Sequence, residues 1–146
     1  MDNQYLKLAQ DAMDVITAYY KGQQTLDRTT YCAMVVQLPN RNNVRAVVVA
    51  EAGASARGIT GTLVDKLDIK LCAGGSVAII PCADPTPDLS NDAEQQALRT
   101  VQKGGDATFK GGVIKAVVAS RPICNACGLS LGRLGLTVSE CEATAP

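Results

Sequence analysis

The chain contains no histidine and no tryptophan. Without an imidazole ring it cannot form a Ser-His-Asp triad, a Cys-His pair or a histidine-ligated metal site. Aromatic residues of any kind are few, and after the first twenty positions only Tyr31 and Phe109 remain. Any stacking of an aromatic side chain on a nucleic-acid base would therefore have to use one of these two rings.

Charge of one sign is also missing, because 14 basic residues balance 14 acidic ones. A protein that binds nucleic acid mainly by electrostatics is usually much more basic, although a local basic patch remains open. No apolar run approaches the roughly 20 residues that span a bilayer, and residues 1–7 show no basic leader before an apolar core. We expect a soluble domain with no membrane partner.

Six cysteines are present in a chain of 146 residues, which is long enough to bury a core without disulfides. Cys32 and Cys141 lie in apolar, strand-like runs, which favours reduced core thiols over a disulfide framework. Cys124 and Cys127 differ, since their spacing suits a shared ligand.

Hydrophobic periodicity and turn residues predict one α/β domain over residues 1–146, with a mixed sheet of about five strands and helices packed on it. Strand and helix alternate in the second half, which favours parallel pairing there. The predicted order is a helix over 2–21 capped by Asp2, strands over 30–38 and 45–51, a helix over 62–71, a strand over 76–81, a helix over 91–103, a strand over 113–120, a helix over 124–133 and a strand over 136–141.

Two short motifs begin consecutive helices in this order. Asp92-Ala93-Glu94 opens one helix, and Cys124 with Cys127 opens the next. Each has an ordinary local explanation: the acidic residues suit a helix cap, and the cysteines suit buried thiols, a redox pair or half of a structural zinc site. Thiolates three positions apart at a helix start can also bind one zinc ion, with Asp92 as a third ligand and water as the fourth.

An acidic helix start, an intervening strand and then a CxxC helix start resemble the zinc-dependent nucleotide and nucleobase deaminase superfamily, whose usual signature is H-x-E with P-C-x-x-C. The resemblance covers the order of elements from about Tyr31 to Cys141. It implies a three-layer cytidine-deaminase-like fold. The segment that precedes the Asp92 helix is similar to what is found in the deaminase domains of bacterial polymorphic toxins.

Carried onto this chain, the resemblance implies that Asp92, Cys124 and Cys127 ligate zinc and that Glu94 shuttles protons. The main chain of Ala93 and of the turn from Ser120 would read the edge of the base. Two positions depart from the pattern: Asp92 stands where histidine is usual, and Ile123 separates Pro122 from Cys124.

Further residues are predicted from their own chemistry. With Asp92 the ligands and zinc sum to about −1, so the site needs a nearby cation, for which Arg121 is the candidate. Tyr31 is a candidate for stacking on the base, with a core-strand role as the alternative. Asn43, in a turn that also contains Arg41 and Arg45, is a candidate for contacting sugar or phosphate, with a solvated hairpin tip as the alternative.

The expected function is zinc-dependent hydrolytic deamination of a nucleobase, with cytosine preferred over adenine, in DNA, RNA or a free nucleotide. The toxin resemblance further implies a secreted effector domain that acts in a target-cell cytoplasm and an immunity protein as partner, with a cytoplasmic enzyme as the other location. Two alternatives stay open: a catalytically inactive, zinc-stabilised binding module of the same fold, and a thiol redox domain that uses Cys124 and Cys127.

Overall fold

The computed structural model describes residues 3–21, 29–38, 44–53, 61–72, 77–82, 93, 97, 98, 101, 112–123 and 125–146. Residues 93, 97, 98 and 101 have helical backbone. The named elements are, in chain order, α1 (Gln4–Tyr20), β1 (Thr29–Leu38), β2 (Val44–Gly53), α2 (Gly61–Leu71), β3 (Val77–Pro81), β4 (Val113–Ala119), α3 (Asn125–Arg133), β5 (Thr137–Ser139) and β6 (Glu142–Thr144).

Helix α1 begins at a side-chain cap. The Asn3 Oδ1 atom accepts hydrogen bonds from the backbone N–H groups of Tyr5 at 3.1 Å and Leu6 at 3.0 Å. These bonds satisfy donors that have no partner within the helix. The cap is therefore Asn3, one residue later than the predicted Asp2.

The six strands form one mixed sheet in the order β3-β2-β1-β4-β6-β5. Strands β1 and β2 form the predicted antiparallel hairpin, with Thr29 opposite Gly53 and Leu38 opposite Val44. Strand β3 pairs in parallel with β2, and the helix between them, α2, supplies the connection that parallel neighbours require. An α/β chain with a mixed sheet is thus confirmed, with one strand more than predicted.

The prediction of parallel pairing in the second half is wrong. Strand β4 lies between β1 and β6 and is antiparallel to both. Strands β3, β4 and β5 do run in the same direction, but β2 and β1 lie between β3 and β4, and β6 lies between β4 and β5. The alternation of strands and helices thus predicted that β3, β4 and β5 run in one direction. It did not predict which strands are neighbours, because β1, β2 and β6 lie between these three in the sheet.

Side chains alternate across the sheet and build a separate core on each face. The first face packs against α1 and α2, with β1 contributing Tyr31, Ala33 and Val35. The second face packs against α3 and the helical residues around position 97, with β1 contributing Cys32, Met34 and Val36. None of the helices within the described ranges has both the length and the apolar character needed to cross a membrane.

Helix α3 ends in a glycine-based stop. Gly135 has a φ of 88°, which an L side chain adopts only with strain. The Leu136 N–H donates to the Leu131 carbonyl and the Gly135 N–H to the Gly132 carbonyl, which is the bond pattern of a Schellman motif. Leu131 and Leu136 are both buried in the second-face core, as the hydrophobic contact of that motif requires.

Candidate functional site

The helical residues of the Asp-Ala-Glu segment are buried on the second face of the sheet. Ala93, Ala97, Leu98 and Val101 are at most 9% exposed, and all four belong to the core that covers this face. Their spacing of three and four residues is that of one helical stripe. The inward-facing side predicted for this helix is therefore confirmed at each of these positions.

Cys127 lies in the first turn of α3 with its side chain fully buried. Four residues on, Leu131 occupies the same side of the helix and packs into the second-face core. The N-terminal end of a helix carries partial positive charge, which favours a thiolate over a thiol. Cys127 is therefore a buried side chain at the start of a helix, and its role as a metal ligand stays a prediction.

The two motif-bearing segments share one hydrophobic core. Ala93, which lies between Asp92 and Glu94 in sequence, belongs to the second-face core, and Ile123, which precedes Cys124, packs against the same core. Ala93 and Ile123 thus lie on the same side of the sheet, and in sequence they directly adjoin Asp92, Glu94 and Cys124. This shared core is the main structural observation at the candidate site.

The turn between β4 and α3 is held from both sides by main-chain hydrogen bonds. On the β1 side, the Ser120 N–H donates to the Tyr31 carbonyl at 2.9 Å, and the Tyr31 N–H donates to the Ser120 Oγ atom at 2.8 Å. On the β6 side, the Ala119 N–H donates to the Cys141 carbonyl and the Ile123 N–H to the Glu140 carbonyl, each at 2.8 Å. The chain therefore reaches the start of α3 along a fixed path.

The predicted ligands and base are not all among the described residues. Asp92, Glu94, Cys124 and Asn43 lie outside them, and of the proposed zinc ligands only Cys127 is described. Within the described ranges, no group of three or more cysteine, aspartate or glutamate side chains could hold a metal ion. The donor set itself, two thiolates and one carboxylate, suits zinc.

Arg121 and Tyr31 were both predicted to contact the substrate, but one side chain is exposed and the other is buried. The Arg121 side chain is exposed in the turn before α3. The Tyr31 ring is 1% exposed in the first-face core, and it stacks on Tyr20 with 4.7 Å between ring centroids. Since the sheet separates this ring from Ala93, Tyr31 occupies the core-strand role, and we exclude its side chain from the proposed substrate contacts.

Sequence reasoning missed a buried polar cluster on the first face. Glu51 is 5% exposed and lies opposite Tyr31 in the β1–β2 ladder. Burial raises the pKa of Tyr20 well above its usual value, and the neighbouring Tyr31 and Glu51 raise it further. A tyrosine near the end of a helix carries no sequence signal for such a cluster, because the contact depends on how β1 and β2 pair.

The described cysteines are recorded as thiols, not as halves of disulfides. Cys32, Cys82 and Cys127 are buried, whereas Cys72 and Cys141 are half-buried. Burial, and hydrogen bonding to Asp68 at the preceding helical turn, raise the pKa of the Cys72 thiol to about 11. Reduced core residues were predicted for the cysteines other than Cys124 and Cys127, and the buried Cys32 and Cys82 agree with that.

Comparisons with known proteins add no family assignment: no family model matches the sequence, and neither a curated protein nor a solved structure matches it.

Proposed function

We propose that this chain is a zinc-dependent nucleobase deaminase with a three-layer, cytidine-deaminase-like fold. The observation that carries the proposal is the core shared by Ala93 and Ile123. These residues directly adjoin Asp92, Glu94 and Cys124, so a common core is what a site built from both motifs requires. The burial of Cys127 in the first turn of α3 supports the same reading.

In this proposal Asp92, Cys124 and Cys127 hold the metal, and the fourth position is open to water. Zinc held by these residues would supply a water nucleophile near neutral pH. Glu94 accepts the proton of the attacking water and delivers it to the departing amino group. Overall, cytosine and water give uracil and ammonia, with the bond from C4 to nitrogen broken and a bond from C4 to oxygen formed.

The ligand set of this site has a net negative charge, so the site needs a nearby cation. Two thiolates, one carboxylate and Zn²⁺ sum to about −1, which makes the bound water less acidic than in a site with a neutral imidazole. In this proposal the exposed Arg121 side chain, two residues before Ile123, offsets part of this charge. Its guanidinium group also suits a phosphate of a nucleotide or a nucleic acid.

Substrate and context are less constrained than the chemistry. Cytosine is preferred to adenine, in DNA, RNA or a free nucleotide, and Asn43 remains a proposed contact to sugar or phosphate. Secretion as an effector toxin with an immunity protein as partner is supported by the resemblance alone. A wild type that binds no zinc and forms a titratable disulfide would favour the alternative thiol redox function of Cys124 and Cys127.

Glu94→Gln tests the proposal most directly. Wild type and variant should each carry about one zinc per chain by elemental analysis, because Glu94 is not a ligand. Only the wild type should convert cytosine in single-stranded DNA, RNA or nucleosides and release ammonia. Glu140→Gln, an exposed change in the β5–β6 turn, is the matched control and should keep both properties.

Each outcome is decisive. A Glu94→Gln protein that still converts cytosine, or that loses its zinc together with its activity, contradicts the role of Glu94. A wild type with zinc but without conversion of any substrate supports the inactive binding module instead. A wild type without zinc contradicts the metal site itself.

A further inference from the structure

The side chain of Ser120 takes the place of a main-chain group at the end of β4. In a regular antiparallel ladder, a hydrogen-bonded pair exchanges two N–H···O=C bonds. Ser120 and Tyr31 form one of these, from the Ser120 N–H to the Tyr31 carbonyl. In the second, the acceptor of the Tyr31 N–H is the Ser120 hydroxyl oxygen, not the Ser120 carbonyl.

Because the Ser120 hydroxyl replaces the carbonyl as the acceptor, the chain can leave the sheet at Ser120. The last residue of β4 in the ladder is Ala119, opposite Cys32, and the main chain turns away immediately afterwards. Such a turn would ordinarily leave the N–H of the next β1 residue without its acceptor. Tyr31 is buried, so an unsatisfied N–H there would be unfavourable. The Ser120 hydroxyl prevents this by accepting the Tyr31 N–H at 2.8 Å.

The same turn leads directly to the proposed metal ligands. Ile123 is fixed on its other side by the Glu140 carbonyl, and Cys124 follows it in sequence. The direction in which the chain leaves β4 therefore determines where α3 begins. Without the hydroxyl, the Tyr31 N–H would need another acceptor. The Ser120 carbonyl would fill this role if the β1–β4 ladder became longer by one pair, and this extension would change the direction of the turn.

We propose that the Ser120 hydroxyl is a positioning group for the Cys124 and Cys127 thiolates, acting through the main chain without touching the metal. This inference rests on the proposed function, because it assumes that those thiolates bind zinc. Groups that orient metal ligands from outside the ligand set typically change metal affinity 10- to 100-fold, which gives the scale of the expected effect.

The test measures Zn²⁺ affinity by competition with a chelator, well below the melting temperature of each variant. Ser120→Ala should raise the Kd for Zn²⁺ about tenfold. Ser120→Thr retains the hydroxyl and should restore affinity to within about twofold. Thr17→Ala is the matched control, since it removes another half-buried hydroxyl, bonded at 3.0 Å to the Met13 carbonyl in α1 on the other face.

Two further measurements separate positioning from stability. In the Co²⁺-loaded protein, Ser120→Ala should shift the visible absorption bands that report ligand geometry, whereas Thr17→Ala should not. If Ser120→Ala does not fold, Ser120→Gly carries the test, because glycine lacks the hydroxyl yet leaves the backbone free to pair its carbonyl with Tyr31. The same loss of affinity is expected.

The possible failures are distinct. Wild-type protein that takes up no zinc overturns the proposed function and this inference with it. If the wild type binds zinc and the Ser120→Ala and Ser120→Gly proteins bind it as tightly with unchanged Co²⁺ spectra, the positioning role alone is overturned. Equal losses of affinity in Ser120→Ala and Thr17→Ala also overturn it, because they would show a general effect of lost stability.

Discussion

Two leucines of α3 test which side of this helix packs against the sheet. Leu131 is 1% exposed in the second-face core, whereas Leu129, two positions earlier, is 64% exposed. Leu131→Ala should lower the free energy of unfolding by about 3 kcal/mol, within the 2 to 5 kcal/mol typical of buried leucines. Leu129→Ala should change it by less than about 0.5 kcal/mol.

The comparison isolates burial, because both substitutions replace leucine by alanine within one helix and change helix propensity alike. The difference between the two variants is therefore the loss of apolar contact plus the cavity at Leu131. For a chain of 146 residues, about 3 kcal/mol corresponds to a fall of about 6 to 12 °C in melting temperature. Since the chain lacks tryptophan, far-UV circular dichroism in urea is the suitable assay.

Equal effects of the two substitutions would refute this account of α3, as would a loss below about 1 kcal/mol for Leu131→Ala. The result bears on the candidate site, because Cys127 lies one helical turn before Leu131 on the same side. If Leu131 were not buried, the burial of Cys127 would have no support either. An unchanged dependence of unfolding on urea concentration would show that the variant loses stability and not compactness.

Two further predictions concern titrating groups away from the site. The raised pKa of Tyr20 means that the folded state holds its proton more tightly than the unfolded state, so stability is complete below about pH 10 and should fall above it. Unfolding in urea at several pH values should show a shallower fall of stability in Tyr20→Phe than in the wild type; equal slopes for the two proteins would contradict the shift. Cys72, with a pKa of about 11 against 9.0 for an unperturbed thiol, should react with iodoacetamide roughly tenfold more slowly than an ordinary cysteine at about pH 8, because the lower thiolate fraction outweighs the greater nucleophilicity of a more basic thiolate. Asp68→Asn should accelerate this reaction, measured by mass spectrometry of the Cys72 peptide, and an unchanged rate would exclude the carboxylate as a cause.

Local patterns predicted most of the elements because each pattern has a direct physical reading. Leu63 and Leu67, one helical turn apart, predicted the buried side of α2, and both are fully buried. Gly135 predicted the end of α3, and its positive φ explains why glycine is suited to that position. The hairpin of β1 and β2 followed from two β-rich runs on either side of turn residues.

Strand β6 was missed because its turn lacks the usual residues. Ser139 pairs with Glu142, so Glu140 and Cys141 form a two-residue turn between β5 and β6. Such turns favour glycine or asparagine where φ is positive, yet Glu140 has a φ of 51°. With no turn signal, residues 136–141 were predicted as one strand, and the three residues after Cys141 were too few to indicate another.

The candidate site could be predicted in part. Residue types and spacing predicted Asp92, Glu94, Cys124 and Cys127 as site residues, and this stays a prediction, whereas the inward face of the helix that contains Ala93 is confirmed. The three main-chain hydrogen bonds around the 119–123 segment, and the bond from the Tyr31 N–H to the Ser120 hydroxyl, were beyond prediction because they join residues distant in sequence. They depend on strand order, which periodicity does not specify.

Tyr31 shows why side-chain chemistry alone misassigns a strand residue. Its aromatic ring predicted a contact with the base, but alternation along β1 directs the ring to the first face, away from Ala93. Backbone N–H and C=O groups lie in the plane of the sheet and are therefore independent of which face the side chain takes. Through these groups Tyr31 binds both the N–H and the hydroxyl of Ser120, so its link to the candidate site passes through the main chain.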